Sequence, residues 1–189
     1  MPAAASLFLD IARRELSSAE VARLRDLVDR EFPRGRAAER RVVRLRRWLG
    51  EDRLVLDLVC SDLEDVVETA AARLGMRRGP SARSVADQIL ARERESPSLI
   101  GSGVALPHAL GSQLPRAAAL VTLARPLREA TPDGKPVRLA VVVAGSTGSR
   151  SLELLAQVAR LASRGLADEL CGITSPERLL HRLEALESW

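Results

Sequence analysis

Two apolar runs in the second half of the chain, at 117–123 and 137–143, constrain the fold more than any other feature. A Thr-Pro-Asp-Gly turn signal at 131–134 separates them, so each run predicts one strand. Segments with capping residues and helical periodicity lie on both sides, near 61–75, 81–93, 151–164, 167–171 and from 175 onward. Because helices that alternate with buried strands cover the faces of a sheet, this order predicts an α/β fold, with a mixed β-sheet flanked by helices.

Charge divides the chain into two parts. Residues 1–53 carry 13 arginines and 9 acidic residues, which accounts for the whole formal net charge of +4. Residues 54–189 carry 16 basic and 16 acidic groups and are neutral overall. Only helical spacing is visible before position 54. The sequence therefore predicts an Arg-rich, all-helical N-terminal extension at 1–53 and a separate domain at 54–189.

The second predicted helix of the extension contains the densest positive charge. Residues 34–47 hold seven arginines and one glutamate, a composition that suits binding to a phosphate backbone. Acidic residues lie just before this stretch, and Trp48 is the aromatic residue nearest to it, which disfavours nucleic acid. The pattern favours a solvated helical face or an arm that packs on a partner, including a second copy of the chain, through Val42, Leu45 and Leu49.

Several classes of protein are disfavoured by what the sequence contains. The longest apolar stretch, 139–145, is far shorter than the roughly 20 residues of a membrane-spanning helix, which predicts a cytoplasmic protein without a membrane span. Cys60 and Cys171 form no CxxC pair, so neither a metal site nor a disulfide framework is expected. The glycine-containing loop at 144–149 lacks the third glycine of a dinucleotide fingerprint and the Gly-Lys of a P-loop. No cofactor is predicted.

Two histidines are present, and they differ in their surroundings. His181 lies inside the last predicted helix, with no second ligand at metal spacing. His108 follows a Gly-Ser-Gly turn, a brief predicted strand at 104–106 and Pro107, which together would hold its imidazole in a fixed loop. A neutral imidazole is a nucleophile, so His108 is the candidate for chemistry.

The 20 residues from Ile89 to His108 resemble the active-site block of a known family. The block contains Arg-Glu at 92–93, Ile-Gly at 100–101 and Gly-Val-Ala-Leu-Pro-His at 103–108. In this register it is similar to the fructose/mannitol/nitrogen-regulatory (type 2) enzyme IIA of the bacterial phosphoenolpyruvate phosphotransferase system. The resemblance extends over about 54–189, and it implies the enzyme IIA type 2 sandwich as the fold of this domain.

The resemblance also implies a phosphotransferase that works through a phosphohistidine. His108 falls on the family's phosphoacceptor, and Arg92 falls on its active-site arginine. A guanidinium can bind phosphate through two parallel hydrogen bonds. The alternative interpretation is that Arg92 is a solvated arginine at the end of a helix.

Four further residues are candidate phosphate contacts. Ser98 falls where the family usually has a threonine, and Ser151 stands where it commonly has a second histidine. Capping of a helix or turn is the alternative role for both serines. The backbone N–H groups that follow Gly101 and Gly103 can approach a ligand closely, because glycine has no Cβ.

The resemblance implies partners as well. A small histidine phosphocarrier protein would donate the phosphoryl group, and an enzyme IIB domain of a sugar transporter, or a regulated transporter or kinase, would receive it or respond to it. A nitrogen-type regulatory role is the expectation, because no sugar-binding membrane domain shares this sequence. The alternative is a non-catalytic enzyme IIA-like module that regulates a partner without phosphotransfer.

Overall fold

The structure is a computed structural model, and it describes residues 43–74, 80–114 and 116–188. These residues belong to one compact unit that begins at Val43. The predicted helices between residues 1 and 42, and the oligomer contacts expected from them, lie outside the described residues.

Five helices and six strands form the described unit. The helices are α1 (Leu63–Leu74), α2 (Ala82–Glu95), α3 (Ser149–Ser163), α4 (Leu166–Leu170) and α5 (Pro176–Glu187). Two single 3-10 turns, Leu45–Trp48 and Glu51–Arg53, come before them. The strands are β1 (Leu54–Leu58), β2 (Leu99–Gly101), β3 (Val104–Ala105), β4 (His108–Leu110), β5 (Ala117–Leu123) and β6 (Leu139–Gly145).

The sheet is mixed, as the sequence predicts. Its strand order is β1-β5-β6-β3-β2, and β4 also pairs with β6. Strand β6 runs antiparallel to β5 and parallel to both β3 and β4. Every residue of β5 and β6 is buried, because helices cover both faces of the sheet.

The two faces of the sheet bury separate cores. On one face, alternate residues of the central strands, such as Val121 and Val142, pack with α1 and α2. On the other face, Leu120 and Val141 pack with α3, α4 and α5. This alternation is the period-two pattern of a strand, and it produces a three-layer sandwich.

The starts of two helices agree with the sequence, and the cap of a third helix differs. The Oγ atoms of Ser81 and Ser175 accept hydrogen bonds at the starts of α2 and α5. Helix α1 is capped by Asp62, whose carboxylate accepts the N–H of Asp65. The sequence contains a Ser-x-x-Glu capping box at 61–64, which predicts a cap one residue earlier. In the part of the chain that the structure describes, no helix is both long and apolar enough to cross a membrane.

The described unit begins eleven positions before the predicted boundary at residue 54. Leu45 and Leu49 are buried in the core shared with α3–α5, and Leu45–Trp48 forms a 3-10 turn rather than the end of a long helix. The carboxylate of Glu187 accepts the N–H groups of Leu45 and Arg46 and fixes this turn. Leu45 and Leu49 are therefore unavailable as contacts of an arm with a partner.

Candidate functional site

His108 is the first residue of strand β4, not a loop residue as the sequence suggested. It pairs with Val143 of β6, whose N–H donates to the carbonyl of Pro107 at 2.9 Å. The side chain of His108 is half-buried, whereas the neighbouring Ala109 is buried. Backbone pairing with the central strand thus fixes the position of the imidazole and leaves part of it accessible.

The hydrogen bonds of the His108 ring determine which nitrogen carries the proton. Nδ1 lies 2.9 Å from the carbonyl oxygen of Leu106 and 3.4 Å from Oγ of Ser98. A carbonyl oxygen only accepts hydrogen bonds, so Nδ1 is the protonated nitrogen. In the neutral ring Nε2 then holds the lone pair, which is the arrangement that a nucleophile at Nε2 requires.

Ser98 is held by a carboxylate that the sequence analysis did not single out. Its Oγ donates to Oε1 of Glu93 at 2.6 Å, and its N–H donates to Oε2 at 2.8 Å. Glu93 lies near the end of α2 and is only 8% exposed. The Arg-Glu pair at 92–93 was the signal in the sequence, but it did not indicate that the glutamate would turn inward toward Ser98.

Arg92 stabilises the chain between α2 and β2. Its Nη1 donates to the carbonyl oxygen of Ser96 at 2.7 Å, and its side chain is half-buried. Among the described residues, no hydrogen bond joins Arg92 to His108. Arg92 therefore supports the segment that leads to Ser98, and its other guanidinium N–H groups remain candidates for contact with an anion.

The glycine turn lies away from His108. Gly101 and Gly103 have φ angles of 111° and 72° and form the tight turn between β2 and β3. The N–H of Gly103 donates to Oγ1 of Thr131, and the N–H of Ser102 donates to the carboxylate of Asp133. The hydrogen bond from the Thr131 hydroxyl, and next that from the backbone N–H of Ser102, lower the pKa of the Asp133 carboxyl.

The register of β6 gives the separation between this turn and the imidazole. Val104 pairs with Leu139 and His108 pairs with Val143, so the two positions are four residue steps, or roughly 13 Å, apart along β6. The structure does not bring Gly101 and Gly103 together with His108.

Ser151 lies in the first turn of α3, near the same end of β6 as His108. It is 1% exposed, and its Oγ has no hydrogen-bond partner among the described residues. A Cβ on Gly145, which pairs with Leu110 two residues after His108, would lie 2.7 Å from this Oγ. An imidazole at position 151 would therefore need more room than the serine occupies.

Known proteins with this architecture define the class to which the domain belongs. The family described as "Phosphoenolpyruvate-dependent sugar phosphotransferase system, EIIA 2" matches residues 48–185. The chain therefore belongs to this family, whose members are in general phosphotransferases, and the predicted family is confirmed.

Three similar proteins make the relationship more specific. The 2-O-alpha-mannosyl-D-glycerate-specific EIIABC component of the phosphotransferase system of Escherichia coli K12 is 29% identical over 140 residues, which are 70% of this chain and 21% of that protein. The nitrogen regulatory protein of Bradyrhizobium diazoefficiens is 31% identical over 101 residues, or 52% of this chain and 66% of that protein. The chain thus spans about a fifth of the first relative and just under two thirds of the second.

The third similar protein is a solved structure. The nitrogen regulatory protein IIA-Ntr of Neisseria meningitidis has a TM-score of 0.67 and 25% sequence identity, and the match covers 74% of this chain and 98% of that one. This likeness confirms the predicted fold class, a mixed sheet flanked by helices.

Proposed function

We propose that this domain performs a cytoplasmic phosphorelay step in which Nε2 of His108 accepts a phosphoryl group from a phosphohistidine on a small carrier protein. The observation that carries the proposal is the hydrogen bond between Nδ1 of His108 and the carbonyl of Leu106. That bond keeps the proton on Nδ1 and leaves the lone pair on Nε2.

The proposed step balances without a cofactor. The Nε2 lone pair of His108 attacks phosphorus in line with the donor, and a new N–P bond forms as the donor's N–P bond breaks. The bonding electron pair returns to the donor's ring nitrogen, and the proton on Nδ1 of His108 stays in place. The domain's task is to position the ring and to stabilise charge on the phosphoryl oxygens.

Arg92 and the first turn of α3, which contains Ser151, are the candidates for stabilising that charge. A guanidinium binds phosphate oxygens well, and the positive end of a helix dipole favours an anion. The N–H of Ser151 itself donates to the carbonyl of Gly148 at 3.1 Å, so its contribution would come through the dipole of α3. The predicted contacts after Gly101 and Gly103 are less suitable, because this turn lies roughly 13 Å along β6 from His108 and the N–H of Ser102 already donates to Asp133.

The names of the relatives support two biological roles for this step, regulation and transport. One relative is a nitrogen regulatory protein, and the other is an EIIABC component of a transport system. We favour the regulatory setting, in which phosphorylation of His108 alters binding to a target such as a transporter or kinase. Delivery to an enzyme IIB domain is the other setting.

Phosphorylation in a reconstituted relay tests the proposal. The full chain is incubated with phosphoenolpyruvate, enzyme I and the histidine carrier of the same organism, and acid-labile phosphate on the chain is measured. We expect label on the wild type and on His181→Ala, and none on His108→Ala. Because the chain has two histidines, His181→Ala is a matched control. Unlabelled wild-type protein would favour a binding module that works without phosphotransfer.

A further inference from the structure

We infer that Glu93 is a positioning residue for phosphoryl transfer, acting through Ser98 to keep the proton of His108 on Nδ1. The inference rests on the proposed function of His108. Glu93 does not touch the imidazole, and its effect passes through one hydroxyl group.

The direction of the Ser98 hydroxyl carries the argument. A serine hydroxyl has a single hydrogen, and Ser98 gives it to Oε1 of Glu93 at 2.6 Å. The side of Oγ that lies 3.4 Å from Nδ1 of His108 can then only accept. Nδ1 therefore faces two acceptors, the carbonyl of Leu106 and the Ser98 hydroxyl, and both favour a proton on Nδ1.

The location of Glu93 is unfavourable for a carboxylate in terms of free energy, and the needs of the helix do not account for it. A carboxylate near the C-terminus of a helix is disfavoured by the helix dipole, and a buried carboxylate loses hydration. Glu93 lies in the last turn of α2 and is 8% exposed. Both of its oxygens are instead satisfied by the backbone and side chain of Ser98. A residue that departs from local preferences in this way is expected at a functional site.

The same contact also stabilises the phosphorylated ring. When Nε2 of His108 bonds to phosphorus and Nδ1 keeps its proton, the imidazole gains positive charge. A hydroxyl polarised by the Glu93 carboxylate is then a better acceptor for Nδ1–H than an isolated hydroxyl. Glu93 thus favours the reactive tautomer before transfer and the charged ring after it.

Substitution of Glu93 by glutamine tests the inference, because the amide can donate where the carboxylate cannot. In Glu93→Gln the amide N–H can donate to Oγ of Ser98, and the hydroxyl hydrogen then turns toward Nδ1 of His108. Nitrogen-15 NMR of histidine-labelled full chain, in the His181→Ala background, reports the tautomer of His108 alone. We expect the fraction protonated at Nε2 to rise severalfold and the initial phosphorylation rate to fall at least about tenfold.

Conservative variants separate positioning from folding. Ser98→Thr keeps the hydroxyl and should restore most of the phosphorylation rate that Ser98→Ala loses. Glu95→Gln changes an exposed carboxylate of the same helix and should alter neither. Ser98→Ala should slow phosphorylation less than Glu93→Gln does, because the carbonyl of Leu106 still accepts from Nδ1 and no hydroxyl can turn toward it. The double variant should behave like Ser98→Ala, since Glu93 acts through that hydroxyl.

The results that overturn the inference differ from those that overturn the proposed function. An unmoved tautomer in a folded Glu93→Gln chain rejects the role of Glu93. If that variant does not fold, an unchanged rate in Ser98→Ala rejects it instead. A wild-type chain that takes no phosphoryl group rejects the function of His108, whereas the NMR measurement needs no donor and still reports what Glu93 does to the ring.

Discussion

The two ends of strand β6 differ in how fully their polar groups are satisfied. At the Leu139 end, the carbonyl of Gly103 accepts the N–H groups of Arg138 and Leu139 at 2.9 and 3.2 Å. At the Gly145 end, α3 begins without a side-chain cap, and in the described part of the chain the buried Oγ of Ser151 has no partner. The half-buried His108 lies toward this second end.

Because of this difference, we expect the two ends of β6 to contribute unequally to folding stability and to phosphorylation. A turn held by several hydrogen bonds to a neighbouring strand and loop is hard to deform, and it holds the strands in register. A buried polar atom without a described partner, such as Oγ of Ser151, costs stability, yet it can bind a ligand that brings the missing partner. Substitutions near Leu139 should therefore alter unfolding more than phosphorylation, and substitutions near Gly145 should alter both.

The largest expected loss of stability is at Gly103. Its φ is 72°, and a Cβ there would lie 3.0 Å from the backbone oxygen of Pro136. A left-handed conformation costs a residue with a Cβ roughly 1–2 kcal/mol, and the contact with a backbone atom adds to it. We expect Gly103→Ala to lower the free energy of unfolding by about 2 kcal/mol, measured by urea denaturation.

Gly134→Ala is the matched control for that measurement. Gly134 also has a positive φ, 79°, but apart from its chain neighbours no atom of the described residues lies within 4 Å of the position of its Cβ. It should lose only the conformational part, about 1 kcal/mol. Equal losses in the two variants would mean that close packing of the turn on Pro136 contributes nothing.

The sequence predicted the central strands and the helix starts better than it predicted the short strands around His108. The central strands were visible because each is a seven-residue apolar run, and the caps at Ser81 and Ser175 follow local rules. Strands β2 and β4 have three residues each, too few for a period to appear. The sequence therefore predicted a loop at His108, and this residue became a candidate because the block that ends on it resembles the family's active-site block.

The remaining differences depend on tertiary contacts. Leu45 and Leu49 have helical spacing, but both are buried in the core. That spacing cannot indicate that the carboxylate of Glu187, 142 positions after Leu45, binds the N–H groups of Leu45 and Arg46 and fixes the turn. The sequence did not indicate the inferred role of Glu93 either, because that role also depends on a contact formed by the fold. A glutamate at a helix end is ordinarily solvated, and only the fold places it beneath Ser98.

A smaller effect is expected at the other end of β6, where Gly145 and Ser151 are in contact. Ser151→Ala removes a buried hydroxyl without a described partner and should raise the free energy of unfolding by about 1 kcal/mol. Gly145→Ala should lower it by about 1 kcal/mol, because its Cβ would meet Oγ of Ser151 at 2.7 Å.

A double-mutant cycle tests that contact directly. In the Ser151→Ala background the nearest remaining atom of residue 151 is its Cβ, 3.4 Å away, so Gly145→Ala should then cost almost nothing. Additive effects of the two substitutions would contradict a direct contact between the two positions. Phosphorylation rates of the same four proteins show whether this end of the strand also serves His108.

The smallest expected effect is the pH dependence of the turn at the Leu139 end. Hydrogen bonds from the Thr131 hydroxyl and the N–H of Ser102 lower the pKa of Asp133 in the folded chain. Its ionised form therefore adds stability above the ordinary aspartate pKa of about 3.9, and the gain is lost as the pH falls through the lower folded value. The difference in urea midpoint between wild type and Asp133→Asn should be largest at pH 6 and shrink toward pH 3. Glu95→Gln, which changes an exposed carboxylate on α2, is the control, and its urea midpoint should follow that of the wild type at every pH. If the difference between wild type and Asp133→Asn stays constant over this range, the charge of the Asp133 carboxylate does not contribute to the stability of the turn.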